Sequence, residues 1–295
     1  MPLSFSKKNK STTTTPVFKK YVDLHMHTVY SDGSLTPCEL VDLAVSKKLS
    51  CIAITDHDNF DAYGNVAKYA EENDIELIPA IEISAFHEGR DIHILGYFID
   101  TTHLQLNQEM QKQAVRRVQR IKQILKKLGT LGIEIPFEAV QKKAGSGVIG
   151  RPHIAKIMIE EEYVSNFHEA FSKYLGNEGE AFIDKKGLST TETIKLIRKA
   201  GGVAVLAHPY RTQCDELIPE MVEAGLAGLE TFCANQRSKV GKKYRSLAKQ
   251  HDLVCTGGTD FHSPEQSATL GSLKIPYEVM DNLRLKQEAQ RAEWF

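Results

Sequence analysis

The sequence predicts an α/β fold in which parallel strands alternate with helices, as either a doubly wound sheet or a barrel. Short apolar runs rich in β-branched residues alternate with longer amphipathic runs over most of the chain, a pattern typical of strands covered by helices. The 295 residues are 41% hydrophobic and 25% charged, as in ordinary globular proteins. No run of 18 apolar residues occurs, so we expect no membrane span.

The chain opens with a polar segment. Residues 1–20 are rich in Ser, Thr and Lys and lack the apolar stretch of a signal peptide, which indicates a disordered leader and a cytoplasmic protein. The five cysteines are widely spaced and include no C-x-x-C pair, so neither a disulfide framework nor a zinc finger is expected. Nothing in the sequence indicates a membrane or a stable protein partner.

Seven short apolar runs predict strands. They are Tyr21–Leu24, Cys51–Thr55, Glu76–Ser84, Ile92–Phe98, Val203–Ala207, Gly228–Phe232 and Leu253–Thr256. Helices are predicted between most of them, at Pro37–Lys48, Phe60–Asn73, Thr190–Ala200, Asp215–Ala224 and Gln236–His251. Thr36 before Pro37 and Glu39 is typical of a helix N-cap followed by proline in the first turn.

The alternation stops between about Asp100 and Lys186, where the chain is almost wholly helical. One long amphipathic helix is predicted because apolar residues recur there at 4-3-4-3 spacing, namely Ala114, Val118, Ile121, Leu125 and Leu128. Shorter helices are predicted at Pro136–Ala144, Arg151–Glu160 and Asn166–Leu175. We therefore predict a helical insertion domain at 101–186, carried on a body formed by 21–100 and 187–295.

The net charge of −1 hides a basic insertion. Gln111–Lys156 holds 11 Lys and Arg against two Glu, a net of +9, whereas the chain outside this segment and the leader holds 21 basic and 36 acidic residues. The cations of the long helix form either a solvated face or an electrostatic wall towards a phosphate-bearing substrate. They are Arg116, Arg117, Arg120, Lys122, Lys126 and Lys127.

Histidines and carboxylates recur at the ends of the predicted strands. Residues i and i+2 of a strand share a face, so the pairs His25/His27 and Asp260/His262 can each converge on a metal ion. The other candidate ligands are Asp32, His57, Glu82, His93 and His208. All but His93, which begins a strand, lie at or just past the carboxyl end of one, where catalytic loops gather in β/α barrels. Such N and O ligands suit Zn, Mn or Fe and predict two or three divalent ions, one carboxylate bridging.

Other polar residues receive simpler interpretations. Asp23, Asp56 and Asp58 are predicted to support ligands or cap helices rather than bind metal. The remaining histidines are predicted to face solvent, namely His87, His103, His168 and His251.

A glycine-rich loop lies in the insertion. Gly145–Gly150 matches G-x-G-x-x-G by spacing, but a predicted helix precedes it, so no dinucleotide-binding βαβ unit exists. The loop instead opens a helix whose N-terminus can bind a phosphate, with Arg151 as a bidentate donor and His153 as a further donor. Arg211 is a candidate second phosphate contact. A merely structural helix start is the alternative.

This ordered set of residues is similar to that of the polymerase-and-histidinol-phosphatase (PHP) family of metal-dependent phosphoesterases. Within it, Tyr21 to Pro276 most resembles the branch of nucleoside 3′,5′-bisphosphate phosphatases and 5′→3′ exoribonucleases. The resemblance implies a distorted (β/α) barrel of about seven parallel strands that holds three ions. It implies His25, His27, Glu82 and Asp260 around the first ion, Glu82, His93 and His208 around the second, and Asp32, His57 and His262 around the third. The Arg-Pro-His at 151–153 resembles the branch's substrate-phosphate motif.

The function that the resemblance implies is hydrolysis of nucleotide phosphate esters. A metal-bridging hydroxide would attack the phosphorus, and no protein nucleophile is expected because the chain has no Ser-His-Asp arrangement or reactive-cysteine context. The substrates would be nucleoside 3′,5′-bisphosphates and short 5′-phosphorylated oligoribonucleotides. Two alternatives stay open: a phosphatase of another small phosphomonoester such as histidinol phosphate, and a non-enzymatic metal- or nucleotide-binding PHP module.

Overall fold

The computed structural model describes residues 19–233, 238–266 and 268–292. The leader predicted at 1–20 therefore lies outside the described residues, except for Lys19 and Lys20. Within these ranges no helix is both long enough and apolar enough to cross a membrane.

The described strands form two sheets. The strands are β1 (Tyr21–Met26), β2 (Cys51–Ile54), β3 (Glu76–Ile78), β4 (Ala80–His87), β5 (Arg90–Tyr97), β6 (Val203–Leu206), β7 (Gly228–Cys233), β8 (Val254–Gly258) and β9 (Ile275–Pro276). One sheet has the order β3-β2-β1-β9, and the other has the order β4-β5-β6-β7-β8. The α/β class is confirmed, with a mixed rather than a parallel arrangement in both sheets.

The expectation that all strands run parallel is wrong at β5 and β9. β5 pairs antiparallel with both β4 and β6, and β9 pairs antiparallel with β1. A two-residue loop joins β4 to β5, and both of its residues, Glu88 and Gly89, have positive φ, at 45° and 81°. Such a loop makes a tight hairpin and so reverses the chain direction. The predicted strand Glu76–Ser84 is split at Pro79, which has no N–H to donate to a sheet.

Helices cover the strands. They are α1 (Pro37–Ser46), α2 (Asp61–Glu72), α3 (Leu104–Thr130), α4 (Phe137–Ala144), α5 (Arg151–Glu160), α6 (Phe167–Ala170), α7 (Thr190–Lys199), α8 (Pro209–Thr212), α9 (Ile218–Glu223), α10 (Ser238–Gln250) and α11 (Glu278–Ala292). A π-helical turn at Phe171–Leu175 continues α6, and a 3-10 turn at Asp215–Leu217 precedes α9. The predicted start of α10 at Gln236 lies outside the described residues. The sequence predicted neither β9 nor α11.

The long helix α3 links two apolar clusters. Leu106 and Met110, in its first half, pack in the cluster that fills one side of the second sheet. Ile121, Leu125 and Leu128, in its second half, pack in a separate cluster whose members all lie between residues 118 and 183. The segment 101–186 therefore has an apolar core of its own, although its division from the body as a domain stays a prediction.

The two sheets meet at two points. The end of β1 bridges the residues after β8 at Met26 and Phe261, and the residues after β2 bridge β4 at His57 and Glu82; both bridges are parallel. Gly258 permits the first approach, because a Cβ at this position would lie 2.4 Å from the backbone nitrogen of His25. These two junctions bring polar residues from both sheets to one place.

Candidate metal centre and substrate cleft

His25 and His27 extend from the end of β1 on one face, as their spacing predicts. Both side chains are fully buried. The Nε2 atoms of both lie 3.4 Å from Oε2 of Glu82, and 3.4 and 3.2 Å from Oδ1 of Asp260. Two histidines and two carboxylates from three different segments of the chain thus face one point.

Glu82 is the central carboxylate of the cluster. Its Oε1 lies 2.9 Å from His93 Nδ1 and 3.0 Å from His208 Nε2. Its Oε2 lies 2.9 Å from His57 Nδ1. The antiparallel direction of β5 explains why His93, in the first half of its strand, reaches the edge that His208 reaches from beyond the end of β6. Glu82, expected at the end of a strand, is the third residue of β4, because the predicted strand is split at Pro79.

A third group forms around Asp32, in the loop after β1. Its Oδ1 lies 3.3 Å from His262 Nε2, and its Oδ2 lies 3.8 Å from His57 Nε2. The loop is fixed by Asp56, which accepts hydrogen bonds from the Thr28 backbone N–H at 2.7 Å and from the Ser31 hydroxyl at 2.6 Å.

The ligand atoms of all nine candidate residues cluster. Four overlapping groups have ligand atoms within 4.8 Å of one another. They are His27/Asp32/His57/His262, His25/His208/Asp260, His25/His27/Glu82 and His57/Glu82/His93. These groups differ from the expected ion sets in three details. His27 joins Asp32, His57 and His262; His57 joins Glu82 and His93; and His208 joins His25 and Asp260.

Unpartnered polar atoms show that the cluster fits metal ions. His25 Nε2, His27 Nε2, His57 Nδ1, Glu82 Oε2 and His208 Nδ1 are buried and make no hydrogen bond. A buried polar atom without a partner costs free energy, and imidazole nitrogens with carboxylate oxygens are the donors that divalent transition metals prefer. The cluster is therefore compatible with metal binding.

The pKa values of two histidines in the cluster also indicate a site that favours positive charge. Burial lowers the pKa of His93, but the carboxylates of Glu82 and Asp91 outweigh it and raise that pKa to about 9. Asp32 and Asp260 likewise raise the pKa of His262 to about 9 against the effect of burial. The negative charge of these carboxylates therefore favours bound positive charge at the cluster.

Comparison with known proteins identifies the chain. The PHP domain family matches residues 23–126. A 5′-3′ exoribonuclease of Haemophilus influenzae is 35% identical over 83% of this chain and 91% of its own length. A 3′,5′-nucleoside bisphosphate phosphatase of Chromobacterium violaceum is 29% identical over 82% and 87%. A solved structure from Bifidobacterium adolescentis, described as a metal-dependent phosphoesterase, superimposes with a TM-score of 0.83 at 28% identity, covering 90% of this chain and 96% of that one.

The chain belongs to the PHP family. This PHP protein is an enzyme, a metal-dependent hydrolase of phosphate esters. The nine candidate ligands, which we call the metal cluster, adjoin a cleft with two lobes. The lobes share His57, Asp91, His93, Arg151 and Phe171.

The first lobe, which we call the basic lobe, contains four buried or half-buried cations, Arg117, Arg120, Arg151 and Lys185. Arg151 Nη2 lies 3.2 Å from Asp91 Oδ2, and Lys185 Nζ donates to Asp91 Oδ1 at 2.8 Å. Arg117 donates to Asp58 at 2.7 Å through Nε. Burial, together with repulsion by Arg151, lowers the pKa of Arg120 to about 10. The two carboxylates of Asp58 and Asp91 thus offset only part of the positive charge of these four cations.

Of the six cations of the long helix, predicted as either a solvated face or an electrostatic wall, two line the basic lobe and four do not. Arg117 and Arg120 face the basic lobe as the electrostatic wall requires. Arg116 instead pairs with Glu109 at 2.7 Å, and Lys127 donates to the Phe182 carbonyl at 3.2 Å. Lys122 lies over the Phe137 ring at 4.7 Å from its centroid, and Lys126 is exposed.

His153 does not line either lobe. Its Nδ1 accepts the Gly150 N–H at 3.0 Å, so the ring caps the start of α5. The Gly145–Gly150 loop itself packs on the loop after β1, where the Val148 N–H donates to the Tyr30 carbonyl at 2.9 Å. His153 is therefore well placed to position Arg151, and its direct contact with phosphate stays a prediction.

The second lobe, which we call the outer lobe, shares five lining residues with the basic lobe. Beyond the shared residues it is lined by Arg90, Asn177, His208, Arg211, Thr212, Asp260 and His262. Arg211 Nη1 donates to Asp260 Oδ2 at 2.6 Å, and Arg211 Nε donates to the Tyr210 hydroxyl at 3.1 Å.

Supporting residues were predicted only in part. Asp23 and Asp58 hold backbone around the cluster as expected: Asp23 accepts the Thr259 N–H at 2.9 Å, and Asp58 accepts the Ser84 N–H at 2.8 Å. Glu230 was missed. Its Oε1 lies 3.0 Å from His25 Nδ1, and its Oε2 accepts the His208 N–H at 2.7 Å.

Two further charged residues that line the cleft were missed, Asp91 and Lys185. Asp91 precedes His93 by two residues on β5, so strand geometry alone places both on one face. Lys185 lies in an irregular segment that carries no periodic signal, and only the fold brings it to Asp91.

Proposed function

We propose that this PHP enzyme hydrolyses the 3′-phosphate ester of nucleotides that carry a 5′-phosphate. Its substrates would be nucleoside 3′,5′-bisphosphates and short 5′-phosphorylated oligoribonucleotides, degraded in the 5′→3′ direction. The observation that carries the proposal is the basic lobe beside the metal cluster, because its buried cations suit a second phosphate group next to the one that reacts. The names of the two relatives agree with both substrate classes.

The proposed ligand sets follow the family pattern. His25, His27, Glu82 and Asp260 would hold one ion, Glu82, His93 and His208 a second, and Asp32, His57 and His262 a third, as Mn, Zn or Fe. Such ions supply Lewis-acid stabilisation of the phosphoryl oxygens and lower the pKa of a water that attacks the phosphorus. The distances from Glu82 to four of these histidines support a bridging role for this carboxylate.

The side chains of the basic lobe would bind and orient the 5′-phosphate. Arg151 offers a planar pair of donors, and its guanidinium lies 5.6 Å from the centroid of the Phe171 ring, which limits its orientation. Lys185 and Arg120 add charge in a buried setting, where electrostatic interactions are stronger than in water. Positioning by remote phosphate contacts raises the rate of a reaction whose catalysis is mostly electrostatic.

The test compares substrates that differ only in the 5′-phosphate. With Mn²⁺ present, we expect kcat/KM for adenosine 3′,5′-bisphosphate to exceed that for 3′-AMP by at least about tenfold, the value of one charged contact. The same preference is expected for 5′-phosphorylated over 5′-hydroxyl oligoribonucleotides, and the Arg151→Gln variant should lose it. Arg245→Gln removes the same charge from an exposed position outside both lobes and should keep it.

Other results would favour the alternatives. Equal rates with and without the 5′-phosphate would contradict the proposal. Faster turnover of histidinol phosphate than of any nucleotide would indicate a small-phosphomonoester phosphatase. Binding of nucleotide without turnover after metal loading would indicate a non-enzymatic module. The predicted cytoplasmic location stays a prediction.

A further inference from the structure

The proposed function assigns no part of a nucleoside bisphosphate to the outer lobe beyond the metal ligands and Arg151 that line it. Its cavity measures about 430 Å³, within the size range of small-ligand sites. It shares five lining residues with the basic lobe and is otherwise lined by different ones. A substrate whose 5′-phosphate occupies the basic lobe and whose 3′-phosphate lies at the metal cluster would leave the outer lobe unfilled.

We propose that the outer lobe binds the nucleotide that follows the scissile phosphate, so that Arg90, Asn177 and Arg211 favour oligoribonucleotides over nucleoside bisphosphates. This inference rests on the proposed function. It adds a subsite to that function and assigns residues outside the metal cluster and the basic lobe to substrate selection.

The identity of the bond that is broken determines where the rest of an RNA substrate is attached during the reaction. Hydrolysis breaks the bond between phosphorus and the 3′-oxygen: the hydroxide of water joins the phosphorus, and a proton passes to the leaving 3′-oxygen. The 5′-terminal nucleoside, held by its 5′-phosphate, is the leaving group in both substrate classes. In RNA, however, the attacked phosphorus also carries the next nucleotide through its 5′-oxygen. With the 5′-terminal phosphate in the basic lobe, this substituent needs separate space next to the metal ligands, and the outer lobe offers it.

The outer lobe has the chemistry to receive that nucleotide. Arg90 and Arg211 supply positive charge, and Asn177 and Thr212 supply neutral hydrogen-bonding groups. Phe171 lies where the lobes meet and offers a ring on which a base can stack without sequence preference. Arg211 and Asn177 are exposed, so a longer chain can continue from the lobe into solvent.

The test uses Arg90, because Arg211 contacts Asp260 and its replacement would also disturb the metal cluster. Arg90 Nη1 donates to Oε1 of the exposed Glu216 at 2.6 Å. Arg90→Gln removes one positive charge from the lobe, whereas Glu216→Gln removes only the ion pair. We expect Arg90→Gln to lower kcat/KM for a 5′-phosphorylated trinucleotide about tenfold more than for adenosine 3′,5′-bisphosphate. Glu216→Gln should not lower the trinucleotide value, and Asn177→Ala should lower it by a smaller factor.

Binding gives a second readout. The affinity for a phosphorothioate trinucleotide that resists cleavage should fall with salt, and in Arg90→Gln the slope of log K against log salt concentration should decrease by about 0.7, the value of one contact to single-stranded nucleic acid. Arg245→Gln should leave both the slope and the substrate preference as in the native protein.

The outcomes separate the two proposals. If neither substrate class is hydrolysed by the metal-loaded protein, the proposed function fails. If the bisphosphate is hydrolysed but Arg90→Gln affects both substrates equally, or if Glu216→Gln reproduces its effect, the outer-lobe inference alone is overturned.

Discussion

Asp91 shows how a single residue connects the metal cluster with the basic lobe. Its carboxylate lies 3.4 Å from His93 Nε2, while His93 Nδ1 faces Glu82 at 2.9 Å. The same carboxylate contacts Lys185 and Arg151. Asp91 therefore orients a proposed metal ligand and offsets part of the charge that would attract the 5′-phosphate.

Replacement of Asp91 by Asn should lower both KM and kcat, each for a different reason. The neutral amide no longer offsets Arg151 and Lys185, so KM for adenosine 3′,5′-bisphosphate should fall about threefold, while the altered support of His93 should lower kcat by about 10-fold or more. Steady-state kinetics measure both values. A rise in KM would contradict the assignment, and recovery of kcat in Asp91→Glu would show that the carboxylate itself matters.

At the scale of elements, the β4–β5 hairpin carries Glu82, Asp91 and His93, and its loop fixes their register. Gly89 has a φ of 81° and open space around it, so a side chain there meets backbone strain rather than a clash. Positive φ costs an L-residue about 1–2 kcal/mol.

Gly89→Ala should therefore lower the free energy of unfolding by about 1 kcal/mol. Gly64, in the middle of α2 and also in open space, is the matched control. Gly64→Ala should raise stability by about 0.5–1 kcal/mol, because alanine is the better helix former. Urea denaturation of the metal-free protein measures both. Stabilisation by Gly89→Ala would show that the turn does not constrain the hairpin.

Much of the element order followed from the sequence. The periodicity and length of the apolar runs predicted most of the strands and helices. All nine clustered side chains were found at or beside the ends of predicted strands. His93, alone among them at the start of a predicted strand, joins the others because β5 runs antiparallel, which was not predicted from the sequence. The sequence did not reveal α11 or the roles of Lys185 and Glu230, because these depend on contacts between residues far apart in the chain.

At the scale of the whole molecule, the metal cluster links stability to pH. In the metal-free protein, His93 and His262 have pKa values raised to about 9 by neighbouring carboxylates, despite burial. Each raised pKa stabilises the folded state below the ordinary histidine pKa of about 6.5, and this stabilisation is lost as pH rises towards 9.

The melting temperature in EDTA should therefore fall between about pH 6.5 and 9. With Mn²⁺ in excess the trend should reverse, since metal binding requires deprotonated imidazoles and protons compete with the metal. Differential scanning fluorimetry across this pH range measures both series. Identical pH profiles of the melting temperature with and without metal would show that His93 and His262 do not bind it.

The most direct test of the central claim, that the nine-residue cluster holds the ions that hydrolyse phosphate esters, is metal analysis of the native protein and the His93→Ala variant, paired with activity on adenosine 3′,5′-bisphosphate. We predict two or three divalent ions per native chain, and in His93→Ala the loss of at least one ion with a fall in kcat of about 100-fold or more. A His93→Ala protein that keeps its full metal content and full activity would contradict the account.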